Sequence, residues 1–160
     1  MGNAAIIDLR KDDLFIPQYV DLRNRYAQLL LSKPVTVDET KAWLLKEAVV
    51  VKCLIENDVL VGAVVLYLNK GGEVAFFVKE PKKELGSELL RVIERVAAEK
   101  KLGSLWAWVL TTNLAAQRTF LKNGYRLEKE CPKKYDDEVL NGLIYRKMIE
   151  ISKVQDEHEN

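Results

Sequence analysis

Histidine and cysteine are almost missing from this chain. His158 stands alone, and Cys53 and Cys131 are the two thiols. That is too few for a disulfide framework or a four-ligand zinc site, so no metal centre is expected. Excess charge is missing too: 25 basic residues against 24 acidic ones leave a net charge of +1, hence no global field to hold nucleic acid or an anionic membrane. The longest apolar run, Val59 to Leu68, contains Gly62 and falls well short of the ~20 residues that cross a bilayer. The opening MGNAAI carries neither a signal-peptide pattern nor the Ser or Thr that myristoylation wants at position six. A soluble cytoplasmic protein is expected, monomer or homodimer. The composition, 48% hydrophobic and 31% charged over 160 residues, excludes collagen-like and disordered chains. It predicts one domain over 1–151 with a polar tail over 152–160.

Residues Ala4 to Leu9 form an apolar run that reads as a strand. Leu14, Ile16, Val20, Leu22 and Tyr26 recur at roughly helical intervals and predict a helix over 13–31, broken by Ser32-Lys33-Pro34. Thr36 with Glu39 is a capping-box pattern and opens a helix that ends near Lys46. The period then changes. A β-branched run, 49–55, a run apolar on both faces, 60–68, and a third run, 73–78, are separated by Glu56-Asn57-Asp58 and Asn69-Lys70-Gly71-Gly72, and predict an antiparallel meander. Leu85, Leu89, Val92, Ile93, Val96 and Ala97 share one helical face over 84–101. LWAWVL, 105–110, follows as a strand, which makes 73–110 a parallel βαβ unit. A helix over 114–122 ends at Asn123-Gly124, and two strands, 125–131 and 139–149, close the chain. The expected fold class is α/β (α+β): a mixed, mostly antiparallel sheet of about seven strands with about four helices and one parallel βαβ unit.

Such a sheet places its ligand site at the carboxyl end of the parallel strands, beside a helix N-terminus. Here that is Val78-Lys79-Glu80-Pro81-Lys82-Lys83-Glu84-Leu85-Gly86-Ser87. Free N–H groups opening the helix make an anion cradle, Gly86 permits close backbone approach, and Lys82 and Lys83 add charge. The stretch reads as a phosphate or pyrophosphate site, or else as a surface loop with a solvated charge run. Trp106 and Trp108 alternate with Ala107 and share a face, expected to be core beneath a helix; an aromatic platform for a nucleotide is the other possibility. Cys53 and Cys131 are expected to pack in strands.

The order strand, two helices, meander, long helix, strand, helix, two strands resembles that of GNAT-superfamily N-acetyltransferases. The segment Asn113-Leu-Ala-Ala116-Gln-Arg-Thr-Phe120-Leu-Lys122-Asn-Gly124-Tyr125 is similar to that family's Asn-x-x-Ala…Lys-x-Gly-Phe signature. Leu22-Arg23-Asn24, Val35-Thr36 and Trp43-Leu44 resemble the amino-terminal half of members that act on small amines or amino sugars. The resemblance spans residues 5–150. One stretch departs from it. The family's cofactor loop reads Arg/Gln-x-x-Gly-x-Gly/Ala, whereas this chain has Pro81 and Glu84 at the basic and first-glycine positions. Glu84 favours the helix dipole, but pointed inward it would repel a pyrophosphate.

The resemblance implies acetyl transfer from acetyl-CoA to a primary amine, with the pantetheine arm paired along residues 76–79. A backbone N–H near Phe77 or Val78 is then the donor to the thioester carbonyl. An alkyl ammonium with a pKa of about 10 must lose a proton first, and Glu73 is the candidate base; it is otherwise a solvated strand-end residue. The family's usual acid, a tyrosine, falls on Phe120, which has no proton to give. Tyr125, Tyr135 and Tyr145 are the alternatives, with Tyr135 on a loop expected to rim the acceptor pocket. A thiolate of pKa about 8.5 can also leave without an acid. Asn113 is implied to touch the pantetheine, with Ala116 beside it in the signature, and is equally a helix N-cap. Lys122 is implied to reach the nucleotide phosphates, or else simply favours the C-terminal end of its helix, and Arg23 and Asn24 are implied to line the acceptor site or else a solvated helix face. A non-catalytic acyl-CoA-binding domain and a protein N-acetyltransferase are the alternatives to an enzyme of small amines.

Overall fold

The computed structural model describes residues 4–27, 32–80 and 84–151. Lys82, Lys83, the end of the helix expected over 13–31 and the tail 152–160 lie outside the described residues.

Strand β1 (Ala4–Asp8) is followed by a 3-10 turn, Asp13–Phe15, and by helices α1 (Ile16–Arg25) and α2 (Val37–Lys46). The capping box of α2 is complete. Glu39 N–H donates to Thr36 Oγ1 at 3.1 Å and Thr36 N–H to Glu39 Oε1 at 3.0 Å, which satisfies two otherwise orphaned donors. Strands β2 (Val49–Glu56), β3 (Val59–Tyr67) and β4 (Glu73–Val78) form the expected meander. Helix α3 (Leu85–Glu99), strand β5 (Ser104–Leu110) and helix α4 (Leu114–Lys122) follow, then β6 (Arg126–Glu130), β7 (Lys133–Tyr135), β8 (Glu138–Leu140) and β9 (Gly142–Met148). Seven strands make one sheet in the order β1-β2-β3-β4-β5-β9-β6, antiparallel except between β4 and β5.

The sheet carries a core on each face because β3 is apolar on both. Val64 and Leu66 face α3 and join Leu89, Leu90, Ile93 and Ala97; Ala63 and Val65 face α1 and α2 and join Tyr19, Leu22 and Leu44. Full burial of each such Leu or Ile contributes about 1.5–3 kcal/mol, so the amphipathic stripe of α3 is a principal tie between helix and sheet. Cys53 lies in the second core, where burial pushes its thiol up to about 12.

Two expectations need correction. Trp106 and Trp108 do share a face, but no helix among the described residues covers it. Leu105, Ala107 and Val109 point into the core under α3, and the two tryptophans are half-buried on the other side. Alternation tells which residues share a face and not which face a helix covers. The indoles donate instead to backbone carbonyls, Trp106 to Lys70 O at 2.9 Å and Trp108 to Cys131 O at 2.6 Å. The strand expected over 139–149 is broken at Asn141, and the loop before it is a hairpin, β7–β8. Asp136 turns that hairpin at φ +53°, a left-handed conformation that Asp tolerates.

Gly142 makes room for Trp108: a Cβ there would lie 2.1 Å from the indole Cε2. Gly142→Ala is expected to cost about 1–3 kcal/mol by overpacking. Measured by thermal melting, that is a loss of several degrees, partly recovered by adding Trp108→Leu.

Candidate active site

Strands β4 and β5 start together and then part. The parallel ladder holds at Glu73 opposite Trp106, where Trp106 N–H donates to Gly72 O at 3.1 Å, and stops there. β4 stays paired to β3 along its whole length, while β5 pairs with β9. Lys79 N–H donates to Val61 O at 2.8 Å, so by the pleat's alternation the N–H groups of Phe76 and Val78 point away from β3 and into the gap. They meet no strand there among the described residues.

On the α3 face of β4 a cleft of about 420 Å³ opens against this gap. Phe76, Phe77 and Val78 form its floor, Gly86 and Ser87 one wall, and Asn113, Ala115, Ala116, Thr119 and Lys122 the other. The walls approach closely because residue 86 has no side chain: a Cβ there would sit 2.7 Å from the Phe76 ring and 3.1 Å from Thr119 Cγ2. Asn113 caps α4, accepting from Ala116 N–H at 3.2 Å, and Asn123 ties α4 to α3 by donating to Ser87 Oγ at 2.9 Å. Glu84 precedes α3 in a left-handed conformation, φ +54°, and its side chain makes no capping bond to the first turn. Its carboxylate pairs instead with Lys122 across the mouth of the cleft. The hydrogen bond from that ammonium holds the Glu84 carboxyl below the usual carboxylate range.

Tyr26, at the end of α1, reaches the same cleft. Its hydroxyl donates to Val78 O and its ring stacks on Phe77 with centroids 6.0 Å apart. Burial pushes its phenol up. Nothing in the helical periodicity of α1 singles Tyr26 out for this place, 52 residues from its partner.

On the other face of β4 lies a second cleft of about 290 Å³. Glu73, Ala75 and Phe77 form its β4 wall, and Arg23, Tyr67, Lys70, Trp108, Lys133, Lys134 and Tyr135 are among the residues that complete it. β4 is therefore the partition between the two clefts, with Phe77 bordering both and its unpaired edge beside them.

The sequence matches the family model described as the acetyltransferase (GNAT) family over residues 13–125. The chain belongs to the GNAT acetyltransferases. Among solved structures it is similar to the yncA protein of Salmonella typhimurium, determined with its cofactor acetyl-CoA: 16% identity, TM-score 0.80, covering 93% of this chain and 95% of that one. It also resembles an N-acetyltransferase from Staphylococcus aureus Mu50 (19% identity, TM-score 0.78, 92% and 99% covered). A third likeness is to the ribosomal-protein-alanine N-acetyltransferase of Brucella melitensis (15% identity, TM-score 0.75, 92% and 99% covered). No curated protein matches the chain significantly. Acetyl-CoA is the acyl donor of this GNAT enzyme.

The donor set of the first cleft fits that molecule. Strand-edge N–H groups suit an amide-bearing arm, and a helix start without a side-chain cap, with a lysine facing it, suits a pyrophosphate. Of the residues expected at the cofactor, Phe77, Val78, Gly86, Ser87, Asn113, Ala116 and Lys122 line this cleft together. Lys79 and Leu85 do not: Lys79 is exposed beyond the end of β4, and Leu85 is buried in the α3 core. Phe120 is buried one layer behind the floor, its ring against Phe76, Tyr125 and Tyr145. Glu73, Tyr135 and Arg23 meet in the second cleft. Asn24 is engaged in the backbone of the segment before α2, donating to Val35 O and accepting from Val35 N–H, both at 2.9 Å. Tyr145 donates to Gln117 Oε1 at 3.3 Å, away from both clefts.

Proposed function

We propose that the chain acetylates the primary amine of a small molecule, which enters the second cleft while the donor lies in the first. The observation that carries this reading is the parting of β4 and β5, with a donor-sized cleft on one face of β4 and a small polar one on the other. When bound, acetyl-CoA supplies an acetyl group activated as a thioester. The free N–H groups of Phe76 and Val78 hold the donor's amide-bearing arm along the gap and polarise the acyl carbonyl, as an oxyanion donor does. Asn113 borders the same arm, with Ala116 and Phe120 shaping the wall behind it. Gly86, Ser87 and the uncapped first turn of α3 take the phosphates, with Lys122 as the cation.

Glu73 takes the proton. It sits where β4 and β5 last touch, on the acceptor face, and the incoming amine must shed a proton before it can attack. Arg23 and Tyr135 flank it from α1 and the β7–β8 hairpin. Tyr135 shapes the rim, its hydroxyl donating to Ser32 O at 3.1 Å. No acid is required for departure of a thiolate of pKa about 8.5. Asn24 supports the acceptor cleft through the segment it braces. The likeness to a ribosomal-protein-alanine N-acetyltransferase favours a protein amino terminus as the second reading; the volume of the acceptor cleft, about 290 Å³, favours the small molecule.

Three variants test the roles. Glu73→Gln is expected to lower kcat by about a hundredfold or more, with the Kd for acetyl-CoA unchanged and the rise of the rate with pH displaced upward. An unaltered pH–rate profile removes Glu73 from the mechanism. Glu84→Gln releases Lys122 for the phosphates and is expected to tighten acetyl-CoA binding about twofold to fivefold in calorimetry, whereas Lys122→Ala weakens it. Because the Glu84 carboxyl titrates below the usual range, its competition persists through the neutral and mildly acidic region. Equal affinities in all three proteins would mean that the pair plays no part in binding.

A further inference from the structure

A plain alkyl amine is a poor match for the second cleft. Its lining holds four cationic side chains, Arg23, Lys70, Lys133 and Lys134, against one carboxylate, Glu73. That is a local excess of three positive charges in a chain whose net charge is +1. Several cations elsewhere pair with carboxylates, as Arg25 does with Asp21, Lys52 with Asp8 and Lys147 with Glu94. In this cleft Arg23, Lys70 and Lys133 find neutral groups. Arg23 donates to Lys33 O at 2.8 Å, Ser32 Oγ at 3.0 Å and Asn24 Oδ1 at 3.4 Å. The Lys70 ammonium lies 4.8 Å from the centre of the Tyr67 ring, and that of Lys133 lies 4.7 Å from a ring of Trp108. None of the four is ion-paired among the described residues.

An acceptor that arrives as an alkyl ammonium is repelled by this lining, because like charges nearby disfavour the charged form. The same lining attracts an oxyanion, and an arginine fork with lysines beside it is suited to carboxylate or phosphate. We infer that the acceptor is an amine that also bears an acid group. Its amine is directed to Glu73, and its carboxylate or phosphate to Arg23, Lys133 and Lys134. The inference rests on the assignment of the second cleft to the acceptor and narrows it to a substrate class. The cations then do two things at once. They hold the molecule by its anion, and they lower the pKa of the ammonium beside Glu73, easing the proton transfer that must precede attack.

Matched pairs of amines test it: leucine against leucinamide for the carboxylate, glucosamine 6-phosphate against glucosamine for the phosphate. Release of free thiol from acetyl-CoA gives turnover, and calorimetry with the same four compounds gives binding. The acid member of one pair is expected to exceed its neutral partner in kcat/KM by about tenfold or more, one charge-assisted hydrogen bond's worth, and the pair that discriminates names the acid group. The preference is expected to shrink with added salt and in the Lys133→Gln, Lys134→Gln double variant, while that variant's affinity for acetyl-CoA is unchanged. Neutral members used or bound as well as the acids would overturn the inference. Binding preference for an acid without any turnover would keep the oxyanion subsite and count against acetylation of small amines. Absence of binding by either acid would overturn the subsite itself.

Discussion

Everything in this enzyme turns on one broken ladder. β4 and β5 are hydrogen-bonded where they begin, at Glu73 and Trp106, and nowhere further along. In a closed sheet the N–H groups of Phe76 and Val78 would be spent on a neighbouring strand. Among the described residues they are left over along the cleft, and strand-edge donors call for a partner. A ligand that carries amides along its length is a natural partner. The alternation of β4 then makes two clefts out of one strand: Phe76 and Val78 floor the donor side, Glu73 and Ala75 the other, with Phe77 bordering both.

Charge is arranged around that gap with little global signature. At the mouth of the first cleft, Lys122 is matched by Glu84, so its ammonium is paired within the chain. In the second cleft Arg23, Lys70 and Lys133 are left to aromatic rings and neutral oxygens. A net charge of +1 hides both arrangements, because the sum over the chain averages a paired mouth and an unpaired pocket.

Much of this was legible from residue order, and the exceptions have physical causes. The stripe of α3, the capping box of α2, the meander and the Asn113 cap are local features, set by spacing within one element, and the structure has all of them. The seven-strand mixed sheet followed from joining them. What spacing does not carry is which face of a strand is covered, so the tryptophans of β5 were expected in a core that lies under Leu105, Ala107 and Val109 instead. Nor does it carry contacts between distant segments. Tyr26 on Val78 and Lys122 on Glu84 each join parts of the chain with no shared local pattern. The β7–β8 hairpin was hidden by its shortness: three residues a side, turned by two aspartates, look like a polar loop.

The central claim is that the free edge of β4 receives the donor. Backbone hydrogen–deuterium exchange, followed residue by residue with and without saturating acetyl-CoA, tests it most directly. The amides of Phe76 and Val78 are expected to gain protection on binding, while those of Phe77 and Lys79, on the β3 side, change little. Unchanged exchange at Phe76 and Val78 with acetyl-CoA demonstrably bound would contradict it.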